Sequence, residues 1–193
     1  MKVYIDITLL PDNDIGHHFL WEKVFQQVHL ALVEIKDAEG LSPVGIGFPE
    51  YNEGKKQLGR KLRLFAPDEK TFDRLDIKKW LSRFLDYVHI KKVQPVPETC
   101  DEFIRFRRYQ TKSNIERLAR RTAARKSVSY EEALAERECV SPVMTDAPYI
   151  WMKSLGNGNR FRLFIKSERV KNAGTGGGYS TYGLSNGGVL PYF

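Results

Sequence analysis

The sequence predicts an α+β protein in two parts. Three observations carry this: strand and helix periods in the order β-α-β-β-α-β over residues 1–94, a proline-bearing connection "QPVPETCDE" (94–102), and a strongly basic second half with an arginine-rich helix. A chain of 193 residues can bury a core without staples. Its 41% hydrophobic and 28% charged residues are those of a folded protein and exclude a disordered one.

Each element has its own signal. "VYIDITL" (3–9) sets Val3, Ile5, Ile7 and Leu9 against Tyr4, Asp6 and Thr8, the period of a half-buried strand. Trp21, Phe25, Val28, Leu32 and Ile35 recur at steps of four and three, so a core-facing helix runs from Phe19 to Ile35 and stops near Gly40. "VGIGF" (44–48), between Pro43 and Pro49, and "KLRLF" (61–65) read as strands, joined by the polar loop "EYNEGKKQLG". Phe72, Leu75, Ile77, Trp80, Leu81, Phe84 and Leu85 predict one second amphipathic helix, and "VHIKKV" (88–93) closes the series as a strand. This order is that of the ferredoxin-like split βαβ arrangement, whose sheet is also the scaffold of RRM-type RNA-binding domains. Residues 1–94 are therefore expected to form a ferredoxin-like domain, and residues 95–193 a divergent C-terminal domain. The latter holds "FIRFRRYQ", the arginine helix at about 114–126, the acidic helix "SYEEALAERE", the strands "PYIWMKS" and "FRLFIK", and a glycine-rich tail read as a mobile loop.

The net charge of +7 attracts polyanions, nucleic acid first among them. Cys100 and Cys139 lack metal-ligand spacing and offer no disulfide framework, so a structural zinc site is not expected and a reducing compartment is. "MKVYIDITLLPDND" has acids within its apolar run and no small-residue cleavage site, and no stretch approaches eighteen uninterrupted apolar residues. The expected location is cytoplasmic, with no membrane span.

The basic helix carries the strongest signal. Ser113 and Glu116 have capping-box spacing, which starts the helix near Asn114. Taking Arg117 as zero, Arg120, Arg121 and Arg125 fall at about −60°, +40° and +80°, while Ile115, Leu118 and Thr122 lie on the far side. A charge run of this kind is often a solvated face, here with Glu131, Glu132 and Glu136 available as partners. Arginine in place of lysine shifts the reading, because planar guanidinium forks suit phosphates and guanine edges. Arg105, Arg107, Arg108 and Lys112 interleave with Phe103, Phe106 and Tyr109, setting charge beside rings that can stack. Thr122 and the alanines leave no large apolar wedge for a membrane surface. An RNA hairpin is the expected ligand, since the major groove of a long A-form duplex is too narrow for side chains.

"YIDITLLPD", "FQQVHLAL", "VGIGFP", "QTKSNIERLARR", "FRLFIK" and "YGLSNGGVLPYF", in this order along the whole chain, resemble the type I-F CRISPR repeat-processing endoribonucleases. The resemblance implies metal-independent cleavage at the 3′ base of a repeat hairpin. The RNA's own 2′-hydroxyl attacks the adjacent phosphate and leaves a 2′,3′-cyclic phosphate and a 5′-hydroxyl. It implies that His29 is the general base, that Ser154 aligns the 2′-hydroxyl, and that Tyr182 places the histidine. It further implies that Phe161 stacks beneath the last base pair, that Arg108 and Gln110 read purine edges, and that Arg120, Arg121 and Arg125 enter the groove. Lys112, Ser113, Asn114 and Arg117, at the start of the helix, complete the implied RNA-binding set. The implied partners are the repeat hairpin and the other subunits of the type I-F surveillance complex, with no cofactor and no metal. Thr122, Ala124, Gly156 and Asn157 depart from the family pattern. Read from the residues alone, His29 is a structural histidine, Ser154 an ordinary loop serine, and Phe161 a residue of a half-buried strand.

Overall fold

The computed structural model describes residues 1–110, 115–138, 145–172 and 177–193. In chain order the elements are β1 (Val3–Leu9), α1 (His17–Glu34), β2 (Gly45–Gly47), β3 (Lys61–Ala66), α2 (Glu69–Leu75), α3 (Ile77–Trp80), β4 (Val88–Ile90) and β5 (Gln94–Pro95). They continue with β6 (Phe103–Tyr109), α4 (Ile115–Lys126), α5 (Tyr130–Glu138), β7 (Tyr149–Lys153), β8 (Arg160–Val170), β9 (Gly178–Tyr179), β10 (Ser185–Asn186) and β11 (Leu190–Pro191). Two compact units result, one of residues 1–109 with 147–193 and the other of residues 110–146.

In the larger unit the first sheet has the order β2-β3-β1-β4 with every pairing antiparallel, which is the predicted ferredoxin-like topology. The alternation read in β1 places Ile5, Ile7 and Leu9 in the core. Asp6, on the other face, is buried as well; it stands opposite Arg63 of β3 and accepts from its Nε at 2.6 Å and its Nη2 at 3.1 Å. Arg63 donates its third bond to the Phe193 carbonyl at 3.0 Å and lies over the rings of Tyr4 and Phe193. Both carboxylate oxygens and all three guanidinium nitrogens are thus engaged, the condition under which a buried charge is tolerated.

Helix α1 is held by packing. Its N-cap, Gly16, supplies no side-chain hydrogen bond, whereas Leu20, Trp21, Val24, Phe25, Val28 and Leu32 are buried. Each such side chain contributes about 1.5–3 kcal/mol, well above the ~1 kcal/mol of a missing cap.

The single helix expected after Pro67 is broken. Asp76 adopts φ 41° and ψ 54°, closes α2 by donating its N–H to the Phe72 carbonyl, and starts α3; a 3₁₀ turn, Ser82–Phe84, follows. Aspartate tolerates this left-handed conformation, so the apolar period continues while the helix axis does not. The proline-bearing connection is also more than a linker. Gln94 and Pro95 pair with Tyr4 and Val3 of β1, and Val96 donates to the Lys2 carbonyl.

A second sheet, in the order β11-β6-β8-β7, is antiparallel throughout. Its inner face, including Ile104, Phe106, Ile150, Met152, Leu163 and Ile165, joins the same core as α1 and the first sheet. The tail is folded where it is described. Tyr179, Leu184 and Leu190 are buried, Ser42 donates to the Tyr179 carbonyl, and the Tyr179 hydroxyl donates to the Val189 carbonyl. Of the glycines read as a loop, Gly177 and Gly178 pack against Gly187 and Leu41, while Gly174 and Gly176 lie outside the described residues. Gly45 is required by this packing, since a Cβ there would stand 2.6 Å from both Leu190 and Tyr179.

The smaller unit pairs α4 with α5 around Ala119, Thr122 and Ala133, all buried. Ser127, at φ 54°, ends α4. Ser129 and Glu132 form a capping box for α5, with Ser129 Oγ accepting from the Glu132 N–H and Glu132 Oε2 accepting from the Ser129 N–H.

Candidate active site

His29 sits on the last third of α1, one residue beyond the buried Val28, so its ring reaches the edge of the core. Its Nδ1 lies 2.8 Å from the Thr181 carbonyl. A carbonyl can only accept, so Nδ1 carries the proton and Nε2 is the basic nitrogen of the neutral ring. The Tyr182 ring stacks on the imidazole with centroids 4.2 Å apart and planes 12° apart. Burial holds the His29 pKa below the usual 6.5, opposed by the hydrogen bond to Thr181, which favours the charged form. The result is a histidine kept neutral, fixed in tautomer and clamped in orientation.

Arg108 extends this cluster. Its guanidinium lies 5.6 Å from the Tyr182 ring centroid and 5.5 Å from that of Phe161. The two strands bring them together: Arg108 faces Ile165 and Phe161 faces Met152, all on the inner side of the second sheet. His29, Tyr182, Arg108 and Phe161, spread over residues 29 to 182, thus form one contiguous group. Ser154 lies just past the end of β7, in a turn closed by its N–H to the Asn159 carbonyl and by the Gly158 N–H to its own carbonyl. Among the described residues it makes no hydrogen bond to His29.

Two contributors carry no signal of their own in the sequence. The Thr181 carbonyl is a backbone group, legible only once the tail is folded. Gln26, one turn before His29 on α1, accepts from the Lys153 N–H at 3.2 Å and so caps the open edge of β7 beside Ser154. Its Nε2 is buried with no hydrogen-bond partner among the described residues.

In the smaller unit Arg120, Arg121, Ala124 and Arg125 are exposed on α4 while Ala119 and Thr122 are buried, the facial division that periodicity predicts. Of the acids considered as partners, Glu136 pairs with Lys126 at 2.9 Å and Glu132 serves the cap. Gln110 is exposed directly after β6. Lys112, Ser113 and Asn114, with the Ser113–Glu116 cap, lie outside the described residues, as does the side chain of Arg117. Among the described residues no three His, Cys, Asp or Glu side chains are grouped as metal ligands, and no helix is long and apolar enough to cross a membrane.

Fold and site together define a ferredoxin-like α+β protein with a histidine-centred cluster suited to acid–base chemistry. The chain belongs to the CRISPR-associated protein (Cas_Csy4) family, whose model matches residues 4–193. It is 33% identical to the CRISPR-associated endonuclease Cas6/Csy4 of Pseudomonas aeruginosa (strain UCBPP-PA14) and 31% identical to that of Escherichia coli (strain UTI89 / UPEC), with full coverage of both chains in each case. A solved structure described as "An RAMP protein binding different RNA substrates" aligns over the whole of both chains at 11% identity and a TM-score of 0.36.

Proposed function

We propose that this protein is an endoribonuclease that binds a CRISPR repeat hairpin and cleaves precursor RNA at the 3′ base of the stem without a metal ion. The observation that carries this reading is the His29 cluster: an imidazole whose Nδ1–H is engaged by Thr181 and whose ring is stacked on Tyr182, leaving Nε2 as the base. His29 Nε2 takes the proton of the 2′-hydroxyl, the 2′-oxygen attacks phosphorus, and the bond to the 5′-oxygen breaks. The products are a 2′,3′-cyclic phosphate and, once the leaving oxygen is protonated, a 5′-hydroxyl. A positioned base of this kind is worth about 10²–10⁴ in rate.

Tyr182 positions His29, and Ser154 aligns the nucleotide. Phe161 stacks under the terminal base pair, with Arg108 and Gln110 on neighbouring purine edges. Arg120, Arg121 and Arg125, with Arg117, Lys112, Ser113 and Asn114, hold the phosphates and guanine edges of the stem. The relatives named as CRISPR-associated endonucleases support the cutting role. The cut RNA remains bound as part of a larger surveillance complex, in the cytoplasm.

The test is a hairpin cleavage assay in EDTA with wild-type protein, His29→Ala, and a substrate carrying a 2′-deoxy at the cut. The reading expects cleavage of the ribo substrate by wild type alone. Tight binding without cleavage would make the protein a hairpin-binding module.

A further inference from the structure

The outer face of the second sheet is not used by the cluster above. Strand register places Tyr149 opposite Phe164, Trp151 opposite Arg162, and Lys153 opposite Arg160, and on the other side of β8 Tyr109 faces Phe164 and Arg107 faces Lys166. Residues directly opposite share a face, so these nine project away from the core. Arg160 and Arg162 are exposed, and Trp151 is half-buried. The Arg160 guanidinium lies 4.4 Å from the Trp151 ring centroid, that of Arg162 sits between Tyr149, Trp151 and Phe164 at 5.3–5.8 Å, and the Lys166 ammonium is 4.4 Å from Tyr109.

No aliphatic side chain interrupts this set. Rings and arginines also serve protein interfaces, but the nine residues include five cations, Arg107, Lys153, Arg160, Arg162 and Lys166, and no acid, a balance that favours a polyanion. Rings alternating with guanidinium groups are what a single-stranded nucleic acid engages, because each base offers a π-face and each phosphate a charge. The strands present them about 4.8 Å apart across the sheet, as a track. The acids nearest the track, Glu22 and Glu168, pair with its own Arg160 and Arg107, whose side chains are exposed, so these are weak ion pairs that a phosphate displaces. At Tyr149 the track opens on a cavity of about 260 Å³ lined by His17, His18, Trp21, Lys56 and Arg60, which adds donors and rings at its end.

We infer that this face is a second RNA-contact surface, which takes a single-stranded segment flanking the hairpin by stacking bases on Trp151, Tyr149 and Phe164 and pairing phosphates with Arg160, Arg162 and Lys166. The inference rests on the hairpin-cleavage reading for its ligand, and on the strand register alone for its site. Trp151 is the central anchor, since it contacts both arginines.

The experiment measures binding of three probes: a minimal repeat hairpin, the same hairpin with a single-stranded extension of about eight nucleotides, and that extension alone. The proteins are wild type, Trp151→Ala, Trp151→Phe and Arg162→Gln. The extension is expected to tighten wild-type binding by at least about tenfold, the equivalent of the single stack on Trp151. Trp151→Ala loses that gain, Trp151→Phe retains most of it, and Arg162→Gln lowers the salt slope for the extended probe by about one. Affinity for and cleavage of the minimal hairpin stay unchanged in all three variants. Equal wild-type affinity for extended and minimal hairpins would overturn the inference, as would equal losses on both probes in Trp151→Ala. If the minimal hairpin did not bind at all, the hairpin reading would fail while the extension alone still reported on the face, through binding that Trp151→Ala abolishes.

Discussion

Replacing Tyr182 by alanine removes the ring that clamps His29. The stack, at 4.2 Å and 12°, is an aromatic pair of the kind worth about 0.5–1.5 kcal/mol beyond its burial. If that contribution is wholly spent on keeping the imidazole in its productive orientation, its loss lowers the chemical step by about two- to tenfold. The same ring also shields His29 from water, and burial is the larger influence holding its pKa below 6.5. Tyr182→Ala should therefore move the acid limb of the rate profile upward, toward 6.5, while Tyr182→Phe, which keeps the ring, leaves the limb in place. The assay is single-turnover cleavage at subsaturating protein between about pH 5 and 8, where the limb reports the base in the free protein. Identical limbs for wild type and Tyr182→Ala would refute the clamp, and so would a Tyr182→Phe variant as impaired as Tyr182→Ala.

His29 also bears on stability. A histidine whose folded pKa is depressed binds fewer protons than the unfolded chain as pH falls through 6.5, so its contribution is intact above 6.5 and lost below it; His29→Asn should flatten the acid-side fall in a pH series of denaturation midpoints. Asp6→Ala strands the buried Arg63 and should cost about 3–5 kcal/mol, seen as a lower midpoint in urea, and Arg63→Met in the same background should recover part of it. Gly183→Ala would place a Cβ 2.3 Å from Ile46 at a φ of +68°, so a loss of about 2–4 kcal/mol is expected by thermal denaturation. Arg121→Gln should weaken hairpin binding and reduce its salt slope by about one, with the rate at saturation unchanged.

The elements legible in the sequence are those whose apolar residues recur at a strand or helix period. β1, α1 and β3 have such a period, and their bounds fall within two residues of the expected ones, although burial in β3 runs through both faces from Leu62 to Ala66. The break at Asp76 was invisible because a left-handed residue leaves the apolar spacing intact on both sides. No sequence period marks the tail strands, because each is two residues long. The outer-face track needed the β7–β8 register, since Trp151 and Arg162 become neighbours only when the strands are paired. Only the family resemblance marks His29. Its tautomer is set by a backbone carbonyl 152 residues away, which no side-chain pattern encodes.

The central claim is that His29 abstracts the 2′-proton of the RNA and that no metal takes part. The most direct measurement is the mass and end chemistry of the product from a hairpin cut in EDTA, with the 2′-deoxy substrate alongside. A 2′,3′-cyclic phosphate from the ribo substrate, with the deoxy substrate and His29→Ala both uncut, is the predicted result. Cleavage that requires magnesium, or that proceeds on the 2′-deoxy substrate, would contradict it.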